Sequence, residues 1–125
     1  MSVWLFALVG AGGTIGSLVR YGAGRWVTGK GKASFYGTLI VNLAGSFAMG
    51  MLIGLGLESV HRAEYAFFGI GVLGGLTTYS TLNVQKATMW QEGKRRTLAF
   101  YIGATYLGGW ILTAAGVGLG YLLST

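Results

Sequence analysis

The 125-residue sequence has no cysteine and no proline, only three acidic residues and a single histidine. Without cysteine there is no disulfide, no thiolate metal site and no cysteine nucleophile. Without proline, any bend in a helix falls to glycine. The acids are Glu58, Glu64 and Glu92, and all lie at or beyond the ends of apolar stretches. His61 stands alone beside Arg62. Neither a metal cluster nor a serine–histidine couple can be assembled from this set, and no enzyme chemistry is expected. Charge of either sign is scarce: 10% of residues are charged, against roughly 25% in a soluble domain. That excludes an ordinary soluble fold and leaves an all-α integral membrane protein in one domain, residues 1–125. Proton-coupled exporters and cation carriers need an ionisable group at membrane depth to bind and release cargo, and the apolar stretches offer no acid for that work.

What is present is mostly apolar, and it is arranged in blocks. Four stretches, near residues 3–19, 35–57, 65–89 and 98–123, can each cross a hydrocarbon core of roughly 30 Å, which takes about 20 helical residues. The first reads as a retained span: no Lys or Arg precedes Val3 and no convincing cleavage site precedes Arg20. The net charge of +6 does not form a basic stripe for nucleic acid, because the basic residues gather at span ends. Arg20, Arg25, Lys30 and Lys32 fall in the first loop, Arg62 in the second, and Lys86, Lys94, Arg95 and Arg96 in the third region. With four spans the first and third share a side, a split of 8 to 1. The positive-inside rule then places both loops in the cytoplasm and both termini outside, in a multi-pass protein of the inner (plasma) membrane.

Glycine is abundant, at 24 residues. Gly10-Ala11-Gly12-Gly13-Thr14-Ile15-Gly16 imitates a dinucleotide-binding turn, but position 15 is Ile and no acidic residue follows until Glu58. The pairs Gly12/Gly16, Gly50/Gly54, Gly71/Gly75 and Gly116/Gly120 put one small-xxx-small motif in each span, the spacing that lets helix backbones approach closely.

The third stretch is interrupted in its middle by Gly74-Gly75-Leu76-Thr77-Thr78-Tyr79-Ser80-Thr81. Glycines weaken the helix there and hydroxyls can re-satisfy freed backbone groups. Irregular backbone at membrane depth persists only where it is buried in protein or lines a wet cavity, and discontinuous spans commonly hold ions. The remaining intramembrane polar groups are Thr14, Ser17, Thr38, Asn42, Ser46, the third-span cluster, Thr105, Thr113 and several tyrosines. Most can donate hydrogen bonds, and Asn42 has two N–H groups. Donors and aromatic ring edges without a fixed carboxylate suit a small anion held at weak sites.

Three segments carry a resemblance. Gly10–Tyr21 (GAGGTIGSLVRY), Gly37–Gly50 (GTLIVNLAGSFAMG) and Gly71–Leu82 (GVLGGLTTYSTL) resemble, in order, the signature stretches of the Fluc family of fluoride channels, also called CrcB proteins. The resemblance implies an antiparallel dimer of four-helix subunits, each with a broken third helix, and two narrow fluoride pores. It implies a pore asparagine at Asn42, a second-span threonine at Thr38, pore-side residues Tyr79, Ser80 and Thr81, and a fourth-span polar track at Tyr101, Thr105 and Thr113. It further implies a central structural Na⁺ on the backbone carbonyls of Gly74 and Thr77 from both subunits, and an arginine at the end of the first span in Arg20.

The sequence departs from that pattern in four places. The family's TTFSTF reads TTYSTL, its following glutamate is Gln85, and its middle track serine is Gly109. Leu82 has no ring edge to offer an anion. The reading is therefore a fluoride channel subunit that exports cytoplasmic F⁻ passively. The competing readings are a non-conducting partner subunit and a small proton-coupled exporter. The charge split disfavours insertion in both orientations, so an oppositely oriented homologous partner is expected.

Overall fold

The computed structural model describes residues 3–56, 61–78 and 80–124. Among these the architecture is helical throughout: α1 (Val3–Gly29), α2 (Phe35–Gly54), a continuous helical run over residues 62–76 (α3), α4 (Ser80–Gln91) and α5 (Arg95–Ser124). Three of these, α1, α2 and α5, are long and apolar enough to cross a membrane. Their outward faces carry large exposed apolar side chains such as Trp4, Phe6, Leu107, Trp110 and Leu122, which suits lipid and not water.

The span limits differ from the sequence expectation where nothing in the chain stops a helix. The first was expected to end at Val19, yet α1 continues to Gly29 and carries Arg20 and Arg25 on its last turns. No proline interrupts that stretch, and the chain turns only at Gly31, whose φ of +77° is left-handed. Likewise α5 starts at Arg95, three residues before Leu98 and two after the left-handed Gly93. Helix α2 closes at Gly54, and position 57, its expected end, lies outside the described residues.

The predicted glycine pairs are where the helices meet. Helix α1 packs on α3 and α2 packs on α5. A methyl group at Gly12 or Gly16 would overlap the carbonyl oxygens of Phe67 or Val72, and one at Gly75 would overlap the carbonyl of Gly13. On the other pair, Gly50 and Gly54 face the backbone of Thr113 and Val117, while Gly116 and Gly120 face Phe47 and Met51. Backbones are thus in direct contact, and van der Waals attraction takes over the role that hydrophobic burial plays in water. Residues Tyr65–Leu73 of α3 form a π-helix, a wide winding that is rare and concentrated at functional sites.

Five of the buried side chains form a cluster between α2, α4 and α5: Phe35, Leu39, Leu82, Met89 and Tyr101. It braces α4 against the rest of the chain immediately beyond the break. This cluster sets where the polar residues can lie.

Candidate functional site

The backbone breaks between α3 and α4, but not at the glycines. Gly74 is helical (φ −63°, ψ −39°), and Gly75 serves the contact with α1. The first non-helical residue is Thr77, extended at φ −81°, ψ 155°. The sequence pointed to glycine as the weak place; the structure puts the bend on a β-branched residue, whose extended conformation costs it nothing. The side chain of Thr77 still donates back to the Leu73 carbonyl at 3.0 Å, alongside its own N–H.

Asn42 then takes over the broken ladder. Its Oδ1 accepts the Thr78 N–H at 2.9 Å, and its Nδ2 donates to the Thr78 carbonyl at 3.1 Å. A side-chain amide placed this way imitates a neighbouring strand and satisfies both backbone groups of one residue. The backbone donor and acceptor fix which end of the amide is which. One Nδ2 proton is consumed, so Asn42 retains a single free N–H and not the two counted from sequence. The Thr78 hydroxyl accepts the Thr81 N–H at 3.3 Å, capping the start of α4. Ser17 of α1 closes the other side with a 3.5 Å bond to the Gly75 carbonyl.

Two cavities flank this clamp. The first, about 600 Å³, is lined by Asn42, Ser46, Gly74, Thr77, Thr105 and Thr113, among others. The second, about 490 Å³, is lined by Arg20, Arg25, Thr38, Thr81 and Gln85, with Ser17. Thr78 borders both, so the broken segment is the wall between them. Among the described residues, neither cavity has an acid in its lining. The described acids Glu64 and Glu92 are engaged elsewhere, with His61 and Lys94.

The expected site residues are therefore divided. Asn42, Gly74, Thr77, Thr105 and Thr113 share the first cavity; Arg20, Thr38 and Thr81 share the second. Tyr101 lines neither. It is fully buried in the apolar cluster and donates its hydroxyl to Gln85 Oε1. The anticipated track along α5 is thus interrupted: Thr113 donates to the Ser46 carbonyl at 3.3 Å, Gly109 offers no side chain, and the buried Thr105 hydroxyl has no partner. Leu82 is 2% exposed, packs in the core and also borders the first cavity with an aliphatic side chain. Tyr79 and the side chain of Ser80 lie outside the described residues. Sequence reasoning missed the structural part played by Thr78, which looked like one hydroxyl among several.

The family model described as "CrcB-like protein, Camphor Resistance (CrcB)" matches residues 7–117. The chain belongs to the CrcB family. Among CrcB-related proteins, "Fluoride-specific ion channel FluC 2" of Lactobacillus delbrueckii subsp. bulgaricus is 40% identical over 120 residues, covering 92% of this chain and 97% of its own. "Fluoride-specific ion channel FluC" of Thermus thermophilus is 41% identical over 111 residues, covering 86% and 87%. "Fluoride-specific ion channel FluC 1" of Listeria innocua is 37% identical over 116 residues, covering 92% and 96%. The CrcB match spans the clamp, both cavities and most of the glycine contacts, so these features belong to the part of the chain the family shares.

Proposed function

We propose that this chain is one subunit of a fluoride-selective channel that lets F⁻ leave the cytoplasm down its gradient. The observation that carries the reading is the broken segment clamped by Asn42, standing between two cavities that include hydrogen-bond donors and, among the described residues, no carboxylate. Family membership and relatives named as fluoride channels support it. Fluoride is small and strongly hydrated, so a path must replace much of its water shell with protein donors. The free N–H of Asn42 and the hydroxyls of Thr105 and Thr38 are of that kind, and Thr113 joins them when it exchanges the Ser46 carbonyl for the ion. Tyr79, Ser80 and Thr81, next to the break, complete the proposed path. Tyr101 acts there from the core, by fixing Gln85 at the edge of the second cavity.

In this reading α3 and α4 together make the third of four membrane crossings, and two subunits pair in opposite orientations. Gly74 and Thr77 both border the first cavity, and their carbonyls are the proposed ligands. Neutral, hard oxygens of that type suit Na⁺, and two subunits meeting at this face would supply a pair of each. The 8-to-1 distribution of basic residues favours one orientation in the plasma membrane, termini outside. A homodimer would force half the molecules against that bias, so the partner is a homologous subunit of reversed charge bias. Leu82 borders the first cavity with an aliphatic side chain and no ring edge, which supports a division of labour in which that partner supplies the ring edges.

The experiment is growth of fluoride-sensitive cells making this chain alone, a reversed-bias homologue alone, or both. Resistance only with both supports the paired channel. Full resistance from this chain alone overturns the heterodimer, and no resistance in any arm overturns the channel.

A further inference from the structure

By sequence Lys86 counts among the loop charges, but it lies inside α4, five residues before the helix ends at Gln91. At about 1.5 Å per residue that is about 8 Å below the turn that leads to α5. Its ammonium is 2.9 Å from the Tyr106 hydroxyl and 5.1 Å from the Tyr106 ring centre. Tyr106 sits eleven residues into α5, about 16 Å from the same turn. The partner of Lys86 is thus rooted deeper than Lys86 itself, and the two side chains meet between those depths. A lysine near a helix end ordinarily snorkels the other way, to carry its charge out to the interface. The direction is set by the helix: Cβ bonds tilt toward the N-terminus, and the N-terminus of α4 is the break.

No carboxylate neutralises this cation among the described residues, whose ion pairs are His61–Glu64 and Lys94–Glu92. Tyr106 occupies one of its three N–H donors and keeps its own O–H proton to give. Tyr106 also borders the first cavity, next to Thr105, whose buried hydroxyl is unpartnered. The unspent donors of Tyr106 and Thr105 thus lie on the cavity wall, and those of Lys86 stand behind Tyr106, one hydrogen bond away from it. A half-exposed cation turned inward cannot face hydrocarbon cheaply, so this face opens on water or on the partner subunit.

Building on the anion-channel reading, we propose that Lys86 and Tyr106 form an anion-holding station on the rim of the first cavity, with Thr105 as the next donor inward. Its ligand is a small hard anion, fluoride in the working channel. The ammonium raises the local anion concentration at the mouth. Placed on the rim and shared with a phenol, it holds the ion loosely enough to pass it on.

The test uses the full chain, with and without its partner subunit, in liposomes loaded with fluoride. Lys86→Gln should lower F⁻ efflux by about tenfold at low ionic strength, a gap that narrows as salt screens the charge. Lys86→Arg should stay within a few-fold of the parent chain. A second readout needs no conduction: the ¹³C signal of dimethylated Lys86, assigned by its loss in Lys86→Arg, is followed during titration with sodium fluoride against sodium gluconate of equal strength. A saturable fluoride-specific shift is expected. In a chain that conducts, either an unchanged flux in Lys86→Gln or the absence of that shift overturns the station and leaves the channel reading standing. In a chain that conducts in no form, the channel reading falls and the shift alone decides the station.

Discussion

Removing the Asn42 side chain should release the broken segment. In Asn42→Ala both bonds to Thr78, at 2.9 and 3.1 Å, disappear at once. Thr78 is 9% exposed, so bulk water does not replace them. A buried backbone group left without a partner costs about 1–3 kcal/mol, so two such groups set a ceiling of about 6 kcal/mol. Water in the adjoining cavity recovers part of this, which leaves a net loss of about 2–4 kcal/mol. Asn42→Asp should do at least as much harm. Its carboxylate still accepts the Thr78 N–H but turns an acceptor toward the Thr78 carbonyl, and it repels an approaching anion. The assay is amide hydrogen exchange at Thr78 in detergent micelles, run beside thermal unfolding. Protection should fall roughly 30- to 700-fold in Asn42→Ala, the equivalent of that energy at tenfold per 1.4 kcal/mol. Unchanged protection at Thr78 with unchanged thermal stability would refute the clamp. Fluoride flux surviving in Asn42→Asp would remove Asn42 from the pathway.

The glycine contacts make a paired prediction: Gly16→Ala and Gly50→Ala should lower thermal stability and weaken helix association, whereas Gly24→Ala and Gly103→Ala, each with open space at the missing Cβ, should be tolerated. Equal thermal stability across all four would contradict the packing account. A periplasmically active reporter fused to Thr125 should be active and a cytoplasmic one silent; the reverse pattern would overturn the orientation. Exchanging Na⁺ for a bulky organic cation should lower dimer stability or activity, and Thr77→Val should leave that Na⁺ dependence in place, because the threonine side chain is spent on the Leu73 carbonyl and the proposed site uses only its backbone. Loss of the Na⁺ effect in Thr77→Val would argue against a backbone site.

Much of this was legible in the chain. The apolar blocks announced a membrane helix protein, and the four-residue glycine spacing located the helix contacts, because both signals are periodic and need no tertiary information. The break at residues 77–78 was legible too, although its cause was misplaced. Glycine content suggested a hinge at Gly74 and Gly75, but what makes the break durable is an amide 36 residues earlier, and no local pattern records that partnership. The reach of α1 to Gly29 was hidden because charge suggests the end of a span, when a helix ends only where backbone or capping chemistry ends it. Tyr101 illustrates the limit of spacing arguments: Tyr101 and Thr105 are one helical turn apart, yet one is sealed in the core and the other lines a cavity. The inward lysine was missed for a similar reason. Its sequence position looks like the end of a span, and only the packing of α4 on α5 gives its direction.

The most direct test of the central claim is ion-specific efflux from liposomes holding the purified chain together with an oppositely biased homologous subunit. The account predicts passive loss of F⁻, retention of Cl⁻ under the same gradient, and no dependence on a proton gradient. Comparable loss of Cl⁻, or F⁻ loss that stops when the proton gradient is collapsed, would contradict it.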